Sequence, residues 1–568
     1  MSDADTPEHK SGIATQTLAS IEQLASPEPA QQIVRGETAV TAFVGRTLRG
    51  PINTPVTIES SAEYQALFGG QWQPSLLSYA VEQFFDHGGQ HAVIVRVVNG
   101  GAPATISLAC GNEMLTLEAL TPGTREFLRA AVDYDNVGDE LGERKSECFN
   151  LVLQRLRAPG SERIEVQETY RRVSTNPGTH RYIGNVLRES QLVRLRGTAP
   201  AVRPDQTFAA GSRHIVGYAD ANNDGDDGAT LSDYDLIGSA AAGTGLFALR
   251  AVDNLGFVYI PPLTRDADLG ASTLVVAEKL CRERRAMLIV DPPVSWRSAE
   301  QALIDSRQLE FRSACALMYF PRIVAFDRLR GRDEIFPNGG AVAGMLARGD
   351  ATRPLWEMDA PEPEPILRAG ARLNVTVTES ERWRLASHGV NALRTARGSS
   401  PLRFLTRTLA GGMNSVADWG YLGPQRLASF IVGSVERGTR WVIASQCDAA
   451  IWTRVTRQIN QFLTDLTARG AFPAAPAERA FLAICDERVN SAHDSLDQRV
   501  NILVSFAASR RGRYHSFMIT HAAAGSAIRA IAVNPAEMPL SIEPKLEFDR
   551  DDTTLHASEV ANRVAHSA

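Results

Sequence analysis

The sequence predicts a multidomain chain of mixed α/β and α+β class. It has a central α/β domain interrupted by a β-rich insertion, a C-terminal α/β domain, and an extended arm at each end. Three observations carry this reading. A strand, a helix and a strand follow one another at short spacing near the N-terminus and again in the middle of the chain. Between these two stretches the apolar runs become short and alternate with polar residues. The chain is 568 residues long, more than one ordinary domain, and its two ends lack any period that could build a core. The boundaries that follow are an N-terminal arm over 1–37, the central domain over 38–99 and 211–370, and the insertion over 100–210. The C-terminal domain runs over 371–520 and the second arm over 521–568.

The first strand is Thr38 to Gly45 (TAVTAFVG), β-branched and apolar. A helix begins near Pro74, places Leu77, Val81 and Phe84 on one face, and stops at Gly88-Gly89. The strand His91 to Val98 (HAVIVRVV) follows. In the insertion, the runs ATISLA, LTLEAL, FNLVLQRL and RIEVQETY are separated by polar turns. The central domain resumes with Phe257 to Ile260, closed by Pro261-Pro262, then a helix over 272–285. Met287 to Val290 follows, closed by Asp291-Pro292-Pro293, and then Cys315 to Phe320. Such spacing implies parallel strands joined by right-handed crossovers. The last region reads as a helix over Pro424 to Arg437 and a strand over Arg440 to Ala444 (RWVIA). The clearest helix carries Trp452, Val455, Ile459, Phe462 and Leu466 at steps of three and four and ends at Gly470. Three strands close the domain: Phe481 to Cys485, Val500 to Phe506 and Tyr514 to Thr520.

The formal net charge of −6 is small for this length and argues against a nucleic-acid binder, which is usually basic. The N-terminus has no apolar stretch of the secretory kind, and no apolar run approaches the roughly 20 residues that a membrane helix needs. The expectation is a protein made soluble in a cytoplasm. Six cysteines (Cys110, Cys148, Cys281, Cys315, Cys447 and Cys485) are scattered without a CxxC pair, which favours buried thiols over zinc ligation or a disulfide framework.

Motifs that could carry chemistry fail on context. Gly243 to Ala248 satisfies GxGxxA, but a dinucleotide site needs that turn directly after a buried strand, and Gly238 to Ala242 are small and not strand-like. Asp220, Asn222, Asp224 and Gly225 mimic the start of a calcium loop. Its twelfth position is Leu231, where a bidentate Glu is required, so a solvated Asx-rich turn is the better reading. Asp291 ends a parallel strand, where active sites collect, but it has no partner in the sequence and stands before Pro-Pro. No GxSxG elbow, HExxH helix or GxxxxGK[ST] loop occurs. No catalytic, cofactor-binding or metal-ligating residue is assigned, and the chain reads as no enzyme.

Several stretches, in order, resemble the contractile tail sheath family of phages and phage-tail-like particles. They include Thr41 to Pro51 (TAFVGRTLRGP), Phe68-Gly69-Gly70, His180 to Val193 (HRYIGNVLRESQLV) and Leu231 to Asp253. Further on come Arg284 to Trp296 (RRAMLIVDPPVSW) and Ile335 to Asp350 (IFPNGGAVAGMLARGD). The C-terminal run holds Trp419-Gly420-Tyr421, Arg437 to Trp441 (RGTRW) and Cys485 to Asn490 (CDERVN). The blocks span about residue 38 to 520. Two places depart from the family pattern: Pro29 to Thr38, and the longer stretch beyond Thr520.

The resemblance implies a central domain of subtilisin-like topology without protease function. It implies copies of the chain in six-membered rings, stacked helically around an inner tube and linked by strands that the arms lend to neighbouring sheets. Baseplate and tail-terminator or cap proteins are the other expected partners. Neither nucleic acid nor membrane insertion is expected. On this reading the assembly contracts without a cofactor. Assembly takes place in a bacterial cytoplasm, and the product is a phage tail or an injection particle. Gln32, Ile33 and Val34 are the candidate N-terminal donor strand, and Ala527, Ile528, Ile531 and Val533 the C-terminal one. Val500, Ile502, Val504, Phe517 and Ile519 belong to the candidate acceptor sheet. The alternatives are a hydrolase on an α/β scaffold and a non-contractile filament or shell protein.

Overall fold

A computed structural model describes residues 40–137, 147–212, 214–355, 367–368, 372–395, 406–411, 420–445, 448–472, 479–507 and 514–531. The chain divides into two compact units, Gly36–Ser429 and, within the described residues, the part from Phe430 onward.

In the first unit, Val40–Gly45 (β1) and Val56–Ile58 (β2) are followed by helices Ser61–Phe68 (α1) and Leu76–Asp86 (α2) and by Ala92–Arg96 (β3). Ser60 and Ser75 cap the two helices by accepting from Glu63 and Leu77 N–H. The β-rich part then runs through Pro103–Cys110 (β4), Glu113–Pro122 (β5), Leu128–Asp133 (β6), Cys148–Leu156 (β7) and Ile164–Ser174 (β8). A short helix Ile183–Val186 (α3), Val193–Leu195 (β9) and Ala219–Asp220 (β10) complete it. After the helix Asp233–Ile237 (α4), the chain returns through Leu255–Tyr259 (β11), Ala271–Arg284 (α5), Met287–Val290 (β12), Ala299–Asp305 (α6) and Ala316–Phe320 (β13). A hairpin follows, Ile323–Asp327 (β14) and Arg332–Phe336 (β15), then Gly339–Thr352 (α7), Arg372–Leu373 (β16), Glu379–Ser387 (α8) and Val390–Ala392 (β17).

Seven strands form the central sheet in the order β17-β13-β12-β11-β1-β3-β2, all parallel except β2. Successive side chains of one strand enter opposite cores, so the five inner strands are buried on both faces and read as near-continuous apolar runs. Ala42, Val44, Val258, Leu288 and Met318 join Ala277 and Leu280 of α5 and Leu303 of α6 on one face. Phe43, Phe257, Tyr259, Ile289 and Leu317 join Val81 and Phe84 of α2 and Val342 and Leu346 of α7 on the other. This is the parallel arrangement expected from the spacing, and Leu77, Val81 and Phe84 are each at most 1% exposed.

The β-rich part packs two sheets on a shared core. Their orders are β10-β6-β7-β8 and β4-β5-β9, with Ile106, Leu117, Phe149, Leu151 and Val193 inside. Its boundary lies later than residue 210. β10 pairs with β6, and Asn99 and Ala102 bridge to Ala229 and Asp226, so residues 219–229 belong with the insertion and not with the parallel sheet. Outgoing and returning chain thus run antiparallel at the neck. Arginines fasten this neck to the sheet by donating to backbone carbonyls. Arg96, 1% exposed, bonds Gly50 O at 2.8 Å and Pro122 O at 2.7 Å. Arg46 bonds Asp227 O at 2.9 Å and Gly228 O at 2.7 Å. Arg49 bonds Ala66 O, at the C-terminal end of α1, at 2.9 Å and pairs with Glu165 of β8 at 2.9 Å.

The helix Leu422–Thr439 (α9) crosses the division between the units, and the second unit continues through Ala449–Ala468 (α10), Phe481–Ile484 (β18), Ala492–Leu496 (α11), Val500–Phe506 (β19), His515–Ala522 (β20) and Gly525–Ile531 (β21). Two sequence expectations change here. Arg440–Ala444 is a 3-10 turn, not a strand. Arg440 pairs back to Glu436 one turn earlier, and only Val442 is buried, so the tightened helix continues through a β-branched run. The stretch beyond Thr520 is not wholly an arm, because β20 extends to Ala522 and β21 follows as a further strand.

The glycines of α7 explain its position. A Cβ on Gly340 would lie 2.3 Å from Ala80 O, and one on Gly344 would lie 2.3 Å from Phe84 O, both on α2. Two helices approach this closely only where one presents no side chain. Gly340→Ala is therefore expected to cost about 1–3 kcal/mol through overpacking, read as a lower denaturant midpoint.

Candidate assembly surfaces

The C-terminal sheet is antiparallel, in the order β18-β19-β20-β21. Register places Ile502 opposite Ile519 and Val504 opposite Phe517. It also places Ile519 opposite Ile528, Thr520 opposite Ala527, and Ser516 opposite Ile531. Residues of like parity share a face. Val500, Ile502, Val504, Phe517, Ile519 and Ile528 therefore line one side, and all but Phe517 and Ile528 are at most 2% exposed. Leu503 and Met518 form the other side with Ile484 and Val489, and Ile531 packs against them.

The structure places the candidate acceptor residues in one sheet. It also places Ala527, Ile528 and Ile531 in the sheet of their own chain, as β21, rather than in a free arm. Gln32, Ile33, Val34 and Val533 lie outside the described residues. β18 pairs only with β19 and β21 only with β20, so each leaves one backbone edge unpaired among the described residues. Such an edge is a template for a further strand. Most of β21 is exposed, with only Ile528 and Ile531 half-buried. The signal for β21 is weak in the sequence. Its alternation is carried by alanines, and its turn is Ala523-Ala524 before Gly525, which sits at φ +127°.

His521 ties β21 to the helices of this unit and was not anticipated. It is 1% exposed. Thr439 Oγ1 donates to Val435 O at 2.7 Å, so its oxygen must accept from His521 Nε2 at 2.8 Å. His521 Nδ1 then accepts from the Ser526 hydroxyl of β21 at 2.7 Å. This tautomer is neutral. Burial pushes the imidazole down to about 4, with Glu436 raising it and Arg440 lowering it.

The motifs weighed in the sequence are absorbed by structure. Gly245–Ala251 is a 3-10 helix entered from a turn, with no strand before it. In the Asx-rich loop, Asp224 accepts from Thr105 N at 2.8 Å and Oγ1 at 2.6 Å, while Asn222 Nδ2 donates to Thr105 Oγ1 at 2.8 Å, so the loop seals the edge of β4. Asp291 accepts from the Tyr259 hydroxyl at 2.6 Å and from Gly339 N–H at 2.9 Å. It thereby fixes the first turn of α7 to the ends of β11 and β12. Burial raises its carboxyl, against the lowering effects of Tyr259, Arg322 and the Gly339 N–H. Among the described residues no helix is long and apolar enough to cross a membrane.

The neutral His521 has a consequence for stability. An unfolded histidine titrates near 6.5, while the folded one stays neutral down to about 4. Below pH 6.5 the unfolded chain therefore binds the extra proton, and stability falls as pH falls through that window. Denaturant midpoints measured from pH 7 to 5 should decline, and His521→Gln, which keeps a donor for Thr439, should flatten the decline by up to one proton.

No family model matches the chain. The tail sheath protein of Burkholderia phage BcepMu is 22% identical over 354 residues, which cover 61% of this chain and 64% of that protein, so the matched stretch spans less than two thirds of the phage protein. The crystal structure of a sheath tail protein from Listeria innocua has the same fold, with a TM-score of 0.59 at 12% identity over 86% of this chain and 95% of that one. A second sheath tail protein, from Desulfitobacterium hafniense, gives 0.52 at 13% identity over 87% and 98%. The chain is similar in sequence to a phage tail sheath protein, and its fold is the fold of tail sheath proteins.

Proposed function

We propose that the chain is the structural subunit of a contractile tail sheath, polymerising helically around an inner tube and shortening to drive that tube through a target envelope. The observation that carries this is the C-terminal sheet. Among the described residues it ends on two unpaired backbone edges, and its last strand is held by one ladder of main-chain bonds, with His521 bridging across to Ser526. A strand seated in this way can take the same register on the sheet of another copy. Gln32 to Val34 would then add along a remaining edge. A heterologous contact that does not close on itself propagates helically, and in this reading six copies make up each ring of the stack. The subunits would move as rigid bodies between an extended and a shortened packing, with energy stored at assembly.

The seven-stranded, mostly parallel sheet supports a subtilisin-like scaffold. Its carboxylate at the strand ends, Asp291, is engaged in holding α7 and supports no hydrolytic role. In this reading the inner tube, the baseplate and a terminator or cap are the partners, assembly takes place in a bacterial cytoplasm, and the product is a phage tail or an injection particle.

Electron microscopy of the purified full-length chain tests the proposal. Hollow cylinders in long and short forms are expected, and dispersed monomers under every assembly condition would overturn it. Removing residues 1–39 should leave soluble monomers by light scattering with an unchanged circular dichroism spectrum. The pure protein should show no ATP turnover.

A further inference from the structure

The chain after Ile531 has no part in that reading, yet its composition is distinctive. Its 37 residues hold seven acidic and three basic side chains. With residues 1–39 also at −4, the ends leave residues 40–531 at +2 within a chain of −6. From Leu540 to Asp552 (LSIEPKLEFDRDD), apolar and acidic residues interleave.

A cleft of complementary character lies at the C-terminal ends of β11, β12 and β13. Its volume is about 680 Å³. Leu263, Trp296 and Ile335 give it apolar walls, and it is lined by four arginines, 265, 297, 322 and 330, and two carboxylates, Asp266 and Glu334, with Asp268 behind Arg322 at 3.4 Å. Arg265 is paired with Asp327, and Arg330 reaches Glu334 at 3.3 Å. Arg297 is exposed and has no ion-pair partner among the described residues. The Oδ1 of Asn374, also on the wall, is buried without a hydrogen-bond partner. The β14–β15 hairpin that borders the cleft exposes apolar and basic side chains, with Arg332 paired to Glu334 at 2.7 Å and Asp333 also partly exposed. Phe326 and Leu329 are 60% and 52% exposed, and the side chains of Arg328 and Arg332 are 76% and 68% exposed.

We propose that this cleft and the outer side of the hairpin receive the acidic segment Leu540–Asp552 of a second copy. Arginine forks match carboxylates in two-point geometry, which suits Glu543, Glu547 and Asp549. Leu546 and Phe548 supply the apolar contacts. Fully extended, 37 residues reach roughly 120 Å from Ile531, enough to meet a neighbouring subunit. That the donor is a neighbour rests on the sheath reading; capture of the segment does not. The contact would be a second link between copies, made by side chains, beside the main-chain link of the C-terminal sheet.

The test uses the full-length chain with its seven tail carboxylates replaced by amides, so that its own tail does not compete. A fluorescent peptide of residues 537–559 is titrated into it by anisotropy. Binding is expected, weakening about tenfold between roughly 0.05 and 0.5 M salt. Arg297→Glu combined with Arg328→Glu, both on exposed side chains, should weaken it by at least about tenfold while the melting temperature holds. Absent binding, equal binding to the double variant, or displacement of the peptide by a peptide of residues 1–39 overturns the proposal. Cylinders are scored separately. Cylinders without peptide binding sink only this inference, and peptide binding without cylinders sinks only the sheath reading.

Discussion

A parallel strand buried on both faces must send its side chains alternately into two separate cores, and both cores must be closed by helices. This constraint organises the first unit. Phe43 and Phe257 point to one core while Ala42 and Val258, their chain neighbours, point to the other. Every crossover therefore has to land a helix on one of two apolar floors. The larger side chains of the strands, Phe43, Tyr259 and Phe257, crowd the floor beneath α2 and α7, and space for two helices there exists only because α7 offers glycine where it meets α2. Asp291 completes the arrangement, holding the first amide of α7 over the strand ends so that those glycines lie in register.

Much of this was legible because periodicity and chain punctuation agree. Met287 to Val290 is a four-residue run between a helix and Asp-Pro-Pro, and it is a strand with those bounds. The face Leu77, Val81 and Phe84 was readable because helical spacing and a Gly-Gly stop coincide. Legibility failed where local pattern and surroundings diverge. RWVIA has strand-forming residues, yet Arg440 bonds back to Glu436 of the preceding helix and Trp441 to Gln458 of the next, the second a partner that lies outside a local window. The end of the β-rich part was misplaced because β10 is only two residues long and is defined by its partner β6, some 90 residues earlier in the chain.

The C-terminal sheet was half legible. The apolar alternation of β19 and β20 announces a sheet, and the register pairs those residues as expected. His521 carried no signal, since its meaning depends on Thr439 from a distant helix and on Ser526 across a hairpin. β21 was seen as a strand but not as a member of its own sheet. An edge strand of alanine and isoleucine is suited to either place, because backbone bonds are the same whichever copy supplies them.

The neck of the β-rich part has a mechanical meaning. Arg46, Arg49 and Arg96 end largely on peptide carbonyls, which neither titrate nor exchange partners with dissolved ions. Arg96 still keeps its proton at neutral pH, although burial lowers it to about 10. A joint built on such acceptors holds its angle when salt or acidity changes, unlike one built on ion pairs at the surface. The β-rich lobe is thus mounted stiffly on the central sheet, so that the two turn together rather than flex at their joint.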